Sequence, residues 1–382
     1  MTSTRGALRI AAVAGRRDLE DWLAVPGRAN ATDPAWVPIP DYFEKRRISP
    51  RHAPFFANGE AALFVAHRND QPVGRISAQQ NDRHLQTHGD ATGHFGFFDC
   101  IDDEEAAAGL VAAAAQWLSS RGLNRMVGPV SFSLNEEAGC LVEGFETAPA
   151  VLMPHHPPWA GRLLENCGMT KEIDLLAYRN PNVDLPPAAA RIAAKAQANP
   201  RVDTRPMNMR RFGPELRRMF DIAGDAWRDN WGFVPFAEAE IRNAIRELRP
   251  ILRPELGQFL TVDGEDVGFL LVLPNVNEIF ARLTPRRLAL LDPLRIYATL
   301  LLKPPRTFRV PLMGIRQAHQ ASPLGGMLLA ALCGRLGALG ERFRPQWTEM
   351  SWILETNRPM IRIAEMFGGA PVKRYRIYAK EL

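Results

Sequence analysis

The stretch Leu312-Met-Gly-Ile-Arg-Gln-Ala-His-Gln-Ala-Ser-Pro-Leu-Gly-Gly-Met-Leu-Leu329 changes character twice. Its apolar start, ending at Gly314-Ile315, reads as a strand. A polar turn follows, then a helix that opens near Pro323. Proline suits the first turn of a helix, where its missing N–H satisfies nothing in any case. Gly325 and Gly326 leave the backbone bare there. Unpaired N–H groups and the positive end of the helix dipole would then face an anion, and a pyrophosphate is the obvious candidate. An ordinary strand–turn–helix with a glycine packing contact has the same spacing, so the pattern alone leaves both readings open.

Downstream, Glu349-Met-Ser-Trp-Ile-Leu-Glu-Thr-Asn357 reads as a further strand, with Asn357 placed to cap a helix that runs to Gly368-Gly369. Upstream lie two hairpins. Ala62–Arg68 and Gln71–Ala78 flank Asn69-Asp70, and Phe259–Val262 and Asp266–Leu273 flank Asp263-Gly264. Gly74 of the first corresponds to Gly268 of the second. The helix–Gly–strand unit at Gly168…Tyr178 corresponds to the one at Gly368…Tyr378. A period this long is duplication of a whole domain, since stacked repeats recur every ~20–50 residues. The order of parts predicts an α/β class, with a mixed α+β sheet covered by helices. The expected boundaries are a first domain at 1–180, a linker and helix at 181–200, and a second domain at 201–382.

The chain has 382 residues, 46% of them hydrophobic and 23% charged, a globular composition of two-domain size. Its net charge of +5 suits an anionic cofactor or lipid surface but is too scattered for nucleic acid. Cys100, Cys140, Cys167 and Cys333 form no CxxC pair, so no metal is expected and a reduced cytoplasm is the simple reading. His155-His156 have no third ligand at metal spacing. No apolar run approaches the ~20 residues of a membrane span. The expected localisation is cytoplasmic, with a peripheral position on the inner membrane as the alternative.

The halves differ in chemistry. Where the first should carry a phosphate turn it reads Phe97-Phe-Asp-Cys-Ile-Asp-Asp-Glu-Glu105. Asp99, Asp102, Asp103, Glu104 and Glu105 favour a helix start but repel a pyrophosphate. The first half is therefore expected to lack a phosphate-binding turn.

Taken together, these segments resemble the GNAT acyltransferase superfamily. Gly314-Ile315 matches its strand end, and Gln320-Ala-Ser-Pro-Leu-Gly325 lies in register with its phosphate turn, with Pro323 in place of the first glycine. Asp33-Pro-Ala-Trp-Val-Pro, Val73-Gly-Arg-Ile, Phe95-Gly-Phe-Phe, Asn135-Glu-Glu, Asn230-Trp-Gly-Phe-Val-Pro and Ser351-Trp-Ile-Leu-Glu-x-Asn resemble a bacterial GNAT-type family, some of whose members are assigned as ceramide synthases. The resemblance implies two tandem GNAT-like domains and an N-acyltransferase. The expected reaction moves a long-chain fatty acyl group from acyl-CoA, a co-substrate, to the amine of a sphingoid base such as 3-oxosphinganine or sphinganine. Gly314, Ile315, Arg316, Gln320, Leu324, Gly325, Gly326, Met327 and Asn357 are the implied carrier-binding residues. Alternatives are a GNAT enzyme for another small-molecule or peptide amine, or a non-catalytic binder of acyl-CoA or lipid.

Aminolysis of a thioester needs a base for the ammonium, a donor for the oxyanion and an acid for the thiolate. Glu349, Glu355, Glu136 and His319 are the candidate bases, with Glu355 preferred because it follows an apolar strand. Ile315 or Arg316 would give the backbone donor. Tyr378 or Tyr375 would be the acid, with Tyr378 preferred, by likeness to the tyrosine the family often uses. Between Arg282 and Arg309, seven Arg or Lys stand against one acid, interleaved with leucines. Such a stretch can lie on an anionic membrane surface.

Overall fold

The structure, a computed structural model, describes residues 6–180, 186–282, 292–320 and 325–382. The start of the expected linker (181–185), Arg286 and Arg287 of the basic stretch, and Pro323 and Leu324 of the phosphate turn lie outside the described residues. The chain forms two compact units. The first holds the described residues up to Leu175, residues 280–282 and Lys373–Leu382; the second holds Leu176–Ile279 and the described residues from 292 to Val372. The final residues thus belong with the first unit, whereas the sequence reading placed all of 201–382 in the second domain.

The strands of the first unit are β1 (Leu8–Ala12), β2 (Gly59–Arg68), β3 (Gln71–Asn81), β4 (Thr92–Cys100), β5 (Arg125–Gly128), β6 (Val130–Ser131), β7 (Glu137–Ala138) and β8 (Cys140–Glu143). Its helices are α1 (Arg16–Ala29), α2 (Asp41–Arg47), α3 (Asp82–His88), α4 (Glu104–Ser119) and α5 (Ala160–Asn166). Strand β9 (Thr170–Asn180) leads from the first unit into the second. The second unit continues with α6 (Pro187–Gln197), β10 (Val202–Pro206), α7 (Phe212–Ala226), α8 (Glu238–Leu248), β11 (Gly257–Val262), β12 (Glu265–Pro274) and α9 (Asn277–Phe280). It closes with α10 (Asp292–Leu302), β13 (Thr307–Ile315), α11 (Gln317–Gln320), α12 (Gly325–Phe343), β14 (Trp347–Leu354) and α13 (Arg358–Met366). Strand β15 (Ala370–Glu381) ends the chain.

The first unit's strands lie in the order β1-β2-β3-β4-β5-β15, and the second's in the order β14-β13-β12-β11-β10. Within each order one pair is parallel. Thr92–His94 runs beside Arg125–Val127, and Thr307–Val310 beside Trp347–Met350. Both expected hairpins are present. Asn69 and Asp70 take φ of 50° and 59°, and Asp263 and Gly264 take 52° and 83°, the double left-handed turn that matches strand twist.

Helix α4 explains itself locally. Asp103 caps it, accepting from the Ala106 N–H at 3.2 Å. Ala106, Leu110, Ala114 and Leu118 recur at helical spacing and are fully buried against the sheet. Each leucine so buried stabilises by roughly 1.5–3 kcal/mol. The end of β15 joins the same unit through Tyr378–Glu381, which pairs antiparallel with Gly128–Arg125. Asp174 fixes it further, holding Arg376 at 2.9 Å and Arg374 at 3.1 Å.

A bulge recurs in both repeats. Between the pairs Arg75↔Asp99 and Ser77↔Gly96, strand β4 carries one extra residue. Between Leu271↔Leu312 and Leu273↔Arg309, strand β13 does the same. A bulge bends its strand and ends regular pairing. In each unit it falls where the parallel partner stops.

Candidate active site

In the second unit, β13 continues to Ile315 after its register with β14 stops at Val310 and Met350. The bulge at Val310-Pro311 separates the two strands, and Pro311 has no N–H to offer a neighbour. On its other edge β13 stays paired to β12 through Gly268↔Ile315, and the Arg316 N–H donates to the Val267 carbonyl at 2.8 Å. Antiparallel ladders alternate, so Arg316 and Gly314 turn their backbone groups to β12, while Met313 and Ile315 turn theirs to the β14 side. This is a splay with two N–H groups facing into it. Of the two expected oxyanion donors, Ile315 has the right direction. Arg316 does not, because its N–H is already used by Val267.

A buried polar chain closes the root of the splay. Arg309 donates through Nε to the Ser351 hydroxyl at 3.0 Å and through Nη2 to the Ser351 carbonyl at 2.9 Å. The Ser351 hydroxyl donates to Glu349 at 2.9 Å, and Arg179 reaches the other Glu349 oxygen at 3.0 Å. The Arg179 guanidinium lies 3.9 Å from the centre of the Trp347 ring. Glu349 is fully buried, and both of its oxygens hold neighbours in place. Arg309 is only 4% exposed, so it belongs to this chain and not to the membrane-facing basic stretch expected between Arg282 and Arg309.

Beyond Ile315 the chain docks on the end of α7. Gln320 Nε2 donates to the carbonyls of Ala226 and Ile315 at 2.9 and 2.8 Å. The Gln317 N–H donates to Asp225 at 2.8 Å, its side chain to Asp229 at 2.7 Å, and Arg316 pairs with Asp221 at 2.6 Å. Gln320 therefore pins the turn, and its amide is occupied by protein carbonyls. Gly314 is bare for a packing reason. A Cβ there would lie 3.1 Å from Ala226 Cβ and 3.3 Å from Trp227 Nε1. At Gly325 a Cβ would stand 2.5 Å from the Gln320 carbonyl, so only glycine lets α12 start this close to α11. At Gly326 a Cβ would meet nothing within 4 Å. Gly325, Gly326 and Met327 are the first described residues of α12.

Glu355 follows β14 directly and is half-buried. Asn357 caps α13 as expected, accepting from the Met360 N–H at 3.2 Å. His319 lies on α11, its N–H donating to the Arg316 carbonyl.

Two proposed catalytic residues belong to the first unit. Tyr378 is fully buried in that unit's apolar core, and its hydroxyl donates to Glu165 at 3.0 Å. Burial pushes the phenol well above its ordinary range, so it gives up a proton poorly. The expectation placed it in a closing strand of the second domain, but that part of β15 packs with the first. Tyr375 is fully buried there too. Glu136 forms an ion pair with Arg47 at 3.2 Å, beside Glu137 at 2.8 Å. His155 and His156 serve structure. His155 holds Asp33 at 2.8 Å, and His156 Nδ1 accepts from the Leu141 N–H at 3.2 Å. Burial pulls the His156 imidazole down to about 4.

A parallel pair parted by a bulge, with a strand–turn–helix at its mouth, defines the class: the chain is a tandem GNAT acyltransferase, one repeat per unit. Solved structures agree on the fold. A tandem GNAT protein from the clavulanic acid biosynthesis pathway aligns with a TM-score of 0.56 at 13% identity, covering 98% of both chains. A GCN5-related N-acetyltransferase from Sphaerobacter thermophilus gives 0.52 at 14%, covering 98% of this chain and 95% of that one. No protein-family model matches the chain.

Sequence relatives narrow this further. A protein of Caulobacter vibrioides (strain NA1000 / CB15N) named bacterial ceramide synthase is 37% identical over 382 residues, 100% of this chain and 99% of that protein. Protein YghO of Escherichia coli (strain K12) is 35% identical over 385 residues, covering 100% and 97%. The chain belongs to this bacterial ceramide synthase family and is an N-acyltransferase. Among the described residues no group of His, Cys, Asp or Glu is arranged to hold a metal ion, and no helix is long and apolar enough to cross a membrane.

Proposed function

We propose that this protein transfers a long-chain fatty acyl group from acyl-CoA to the amine of a sphingoid base, 3-oxosphinganine or sphinganine, making the amide of a ceramide. One observation carries the reading: the splay of β13 and β14, into which Met313 and Ile315 turn their N–H groups. A pantetheine arm can pair with that edge as a third strand would. Its diphosphate would meet the start of α12 at Gly325, Gly326 and Met327, where an added side chain at Gly326 touches nothing.

An apolar acceptor would find aromatic side chains nearby in the same unit, with Trp227 and Phe236 partly exposed and Phe220, Phe233 and Phe269 buried beneath them. Trp227 lies 6.1 Å from Phe269, 6.3 Å from Phe233 and 6.4 Å from Phe236, and Phe220 lies 4.5 Å from Phe236. This aromatic nest sits over β12 and against Gly314, beside the strand that carries the amides. The 37% identical relative named as a ceramide synthase points the same way.

In this reading Glu355 takes the proton from the acceptor ammonium, and the Ile315 N–H stabilises charge as it develops on the thioester oxygen. Glu349 holds the root of the splay in shape. Asn357 caps the helix that follows Glu355 and so fixes where that carboxylate starts. The first repeat, 1–180, provides no second carrier site.

The test is incubation with palmitoyl-CoA and 3-oxosphinganine, with CoA release and the amide product followed by mass spectrometry. The expected result is one amide formed per CoA released. Release only with a different amine moves the enzyme to another acceptor. Tight acyl-CoA binding without release makes it a binder.

A further inference from the structure

Helix α10 turns apolar side chains to solvent. Leu294 is 67% exposed, Tyr297 45%, Leu301 54% and Leu302 81%. These are half of the exposed large hydrophobic residues found among the described residues of the whole chain. They are not scattered. Positions 294, 297 and 301 follow helical spacing on one stripe, with Ala298 and Leu302 beside it. Ile296 and Leu300 face the other way, and Leu300 is buried. The helix is therefore anchored by one face and leaves a second apolar face uncovered. Isolated exposed leucines need no explanation, but a contiguous row of them marks a surface that meets something.

Charge decides what that is. Arg295 is exposed at the rim of the stripe, and Lys303 and Arg306 are exposed just past the helix end. A second copy of this chain would bring the same cations against these, and like charges would oppose the contact. An anionic bilayer surface supplies both halves of the match, an acyl boundary for the leucines and headgroups for the cations. Tyr297 adds an amphipathic ring of the kind that settles at that boundary.

We infer that α10 docks the protein on anionic membranes, its Leu294–Leu302 face lying in the headgroup boundary. Such docking rests on the proposed lipid acceptor for its purpose, since both substrates then arrive from the bilayer. The observations behind it stand apart from the catalytic site.

The test uses the full chain in vesicle sedimentation, with phosphatidylglycerol–phosphatidylcholine vesicles against pure phosphatidylcholine. The wild type should sediment with the anionic vesicles and be released by salt. The triple variant L294Q/L301Q/L302Q removes only exposed side chains, so its melting temperature should not change. Its vesicle partitioning should fall at least about tenfold, given the free energy of each buried methylene. The variant K303E/R306E should lose the preference for anionic lipid. Partitioning of the triple variant equal to wild type overturns the inference. So does a wild type that ignores phosphatidylglycerol, or one whose dimer the triple variant splits. Acyl transfer from palmitoyl-CoA to detergent-solubilised 3-oxosphinganine without vesicles separates the two readings. If it persists while vesicle binding is absent, docking alone fails; if it is absent while binding persists, the proposed reaction alone fails.

Discussion

The two parallel strand pairs start alike and end differently. In each repeat the pair runs for a few residues, a bulge falls in the earlier strand, and the strands part. In the second, open unit no further strand among the described residues pairs into the gap, and the Met313 and Ile315 amides turn toward it. In the first unit the chain fills its own gap. The Val130-Ser131-Phe132 segment enters it, and the Ser131 hydroxyl accepts from the Phe97 N–H at 3.2 Å. Gln79, fully buried, donates its amide to the Val130 carbonyl. A Cβ at Gly96 would lie 2.3 Å from that same carbonyl, so the plug needs a glycine under it. Phe132 then stacks on Phe55 at 4.6 Å and meets Phe97 edge-on at 5.0 Å. Both Phe97 and Phe132 hold positive φ, 48° and 73°, a conformation that packing must enforce in a residue with a side chain. The helix starts differ in the same sense. Asp103 caps α4 while pairing with Arg68 at 2.6 Å, and α12 begins on paired glycines. In one repeat the gap is proposed to take the carrier; in the other it is filled by core.

The sharpest test of that division is Glu355→Gln. If the open repeat does the chemistry, kcat should fall by about 10²–10⁴-fold, the range for a lost general base, with the KM for acyl-CoA little changed. A kcat within threefold of wild type, on the order of 0.6 kcal/mol, would move the base elsewhere.

Acid should strike the units unequally. Burial draws His94 down to about 3 and His156 to about 4, and it also lowers His84 and His155; all four lie in the first unit. Unfolded, each titrates near 6.5. The unfolded chain then binds more protons, so stability is whole above about pH 6.5 and declines below it toward the folded values. His94 and His156 each remove up to roughly 1.4 kcal/mol per pH unit in that window, and His84 and His155 act in the same direction. Hydrogen exchange between pH 7 and 5, corrected for intrinsic rates, should show protection falling in β3 and β4 well before β12 and β13. Equal loss in both would break the asymmetry.

Much of this was legible in the sequence, and the reasons are local. Asn69-Asp70 and Asp263-Gly264 announce hairpins because few other pairs tolerate two positive φ values. Asp103 and Asn357 announce helix starts, and the carboxylates from Asp102 to Glu105 announce the acidic start of α4. What escaped is non-local or locally contradicted. Helix α1 carries Pro26 inside it, followed by Gly27, and it holds because Trp22, Val25 and Ala29 are buried on one face. Tyr375 and Tyr378 are three apart in one strand, so they lie on opposite faces, and nothing local says into which unit either one packs. Arg309 sits in a run of basic residues, and only its partner Ser351, far away in sequence, shows that it is internal. Pro311 was the one local sign of the splay, a proline inside an apolar strand.

Gly326→Glu imitates, in the open repeat, the acidic helix start of the closed one. Nothing lies within 4 Å of the added Cβ, so the fold should tolerate it. A carboxylate at the positive end of α12 would repel a diphosphate, and the KM for acyl-CoA should rise about tenfold or more, with kcat at saturation nearly unchanged. An unaltered KM would place the diphosphate away from this turn.

Ser131→Ala asks the reverse question of the plug. It leaves the buried Phe97 N–H without its hydroxyl acceptor, and an unsatisfied buried donor costs about 1–3 kcal/mol. Chemical denaturation should show that loss in the first unit. The KM for acyl-CoA should not move, because the closed repeat is proposed to hold no carrier. Phe132 still packs against Phe55 and Phe97 in this variant, so the segment should stay in the gap and the loss should stop at the hydrogen bond. If the variant instead gained a second, weak acyl-CoA site by calorimetry, the plug would be a gate over a usable splay, and the difference between the repeats would be one of occupancy instead of construction.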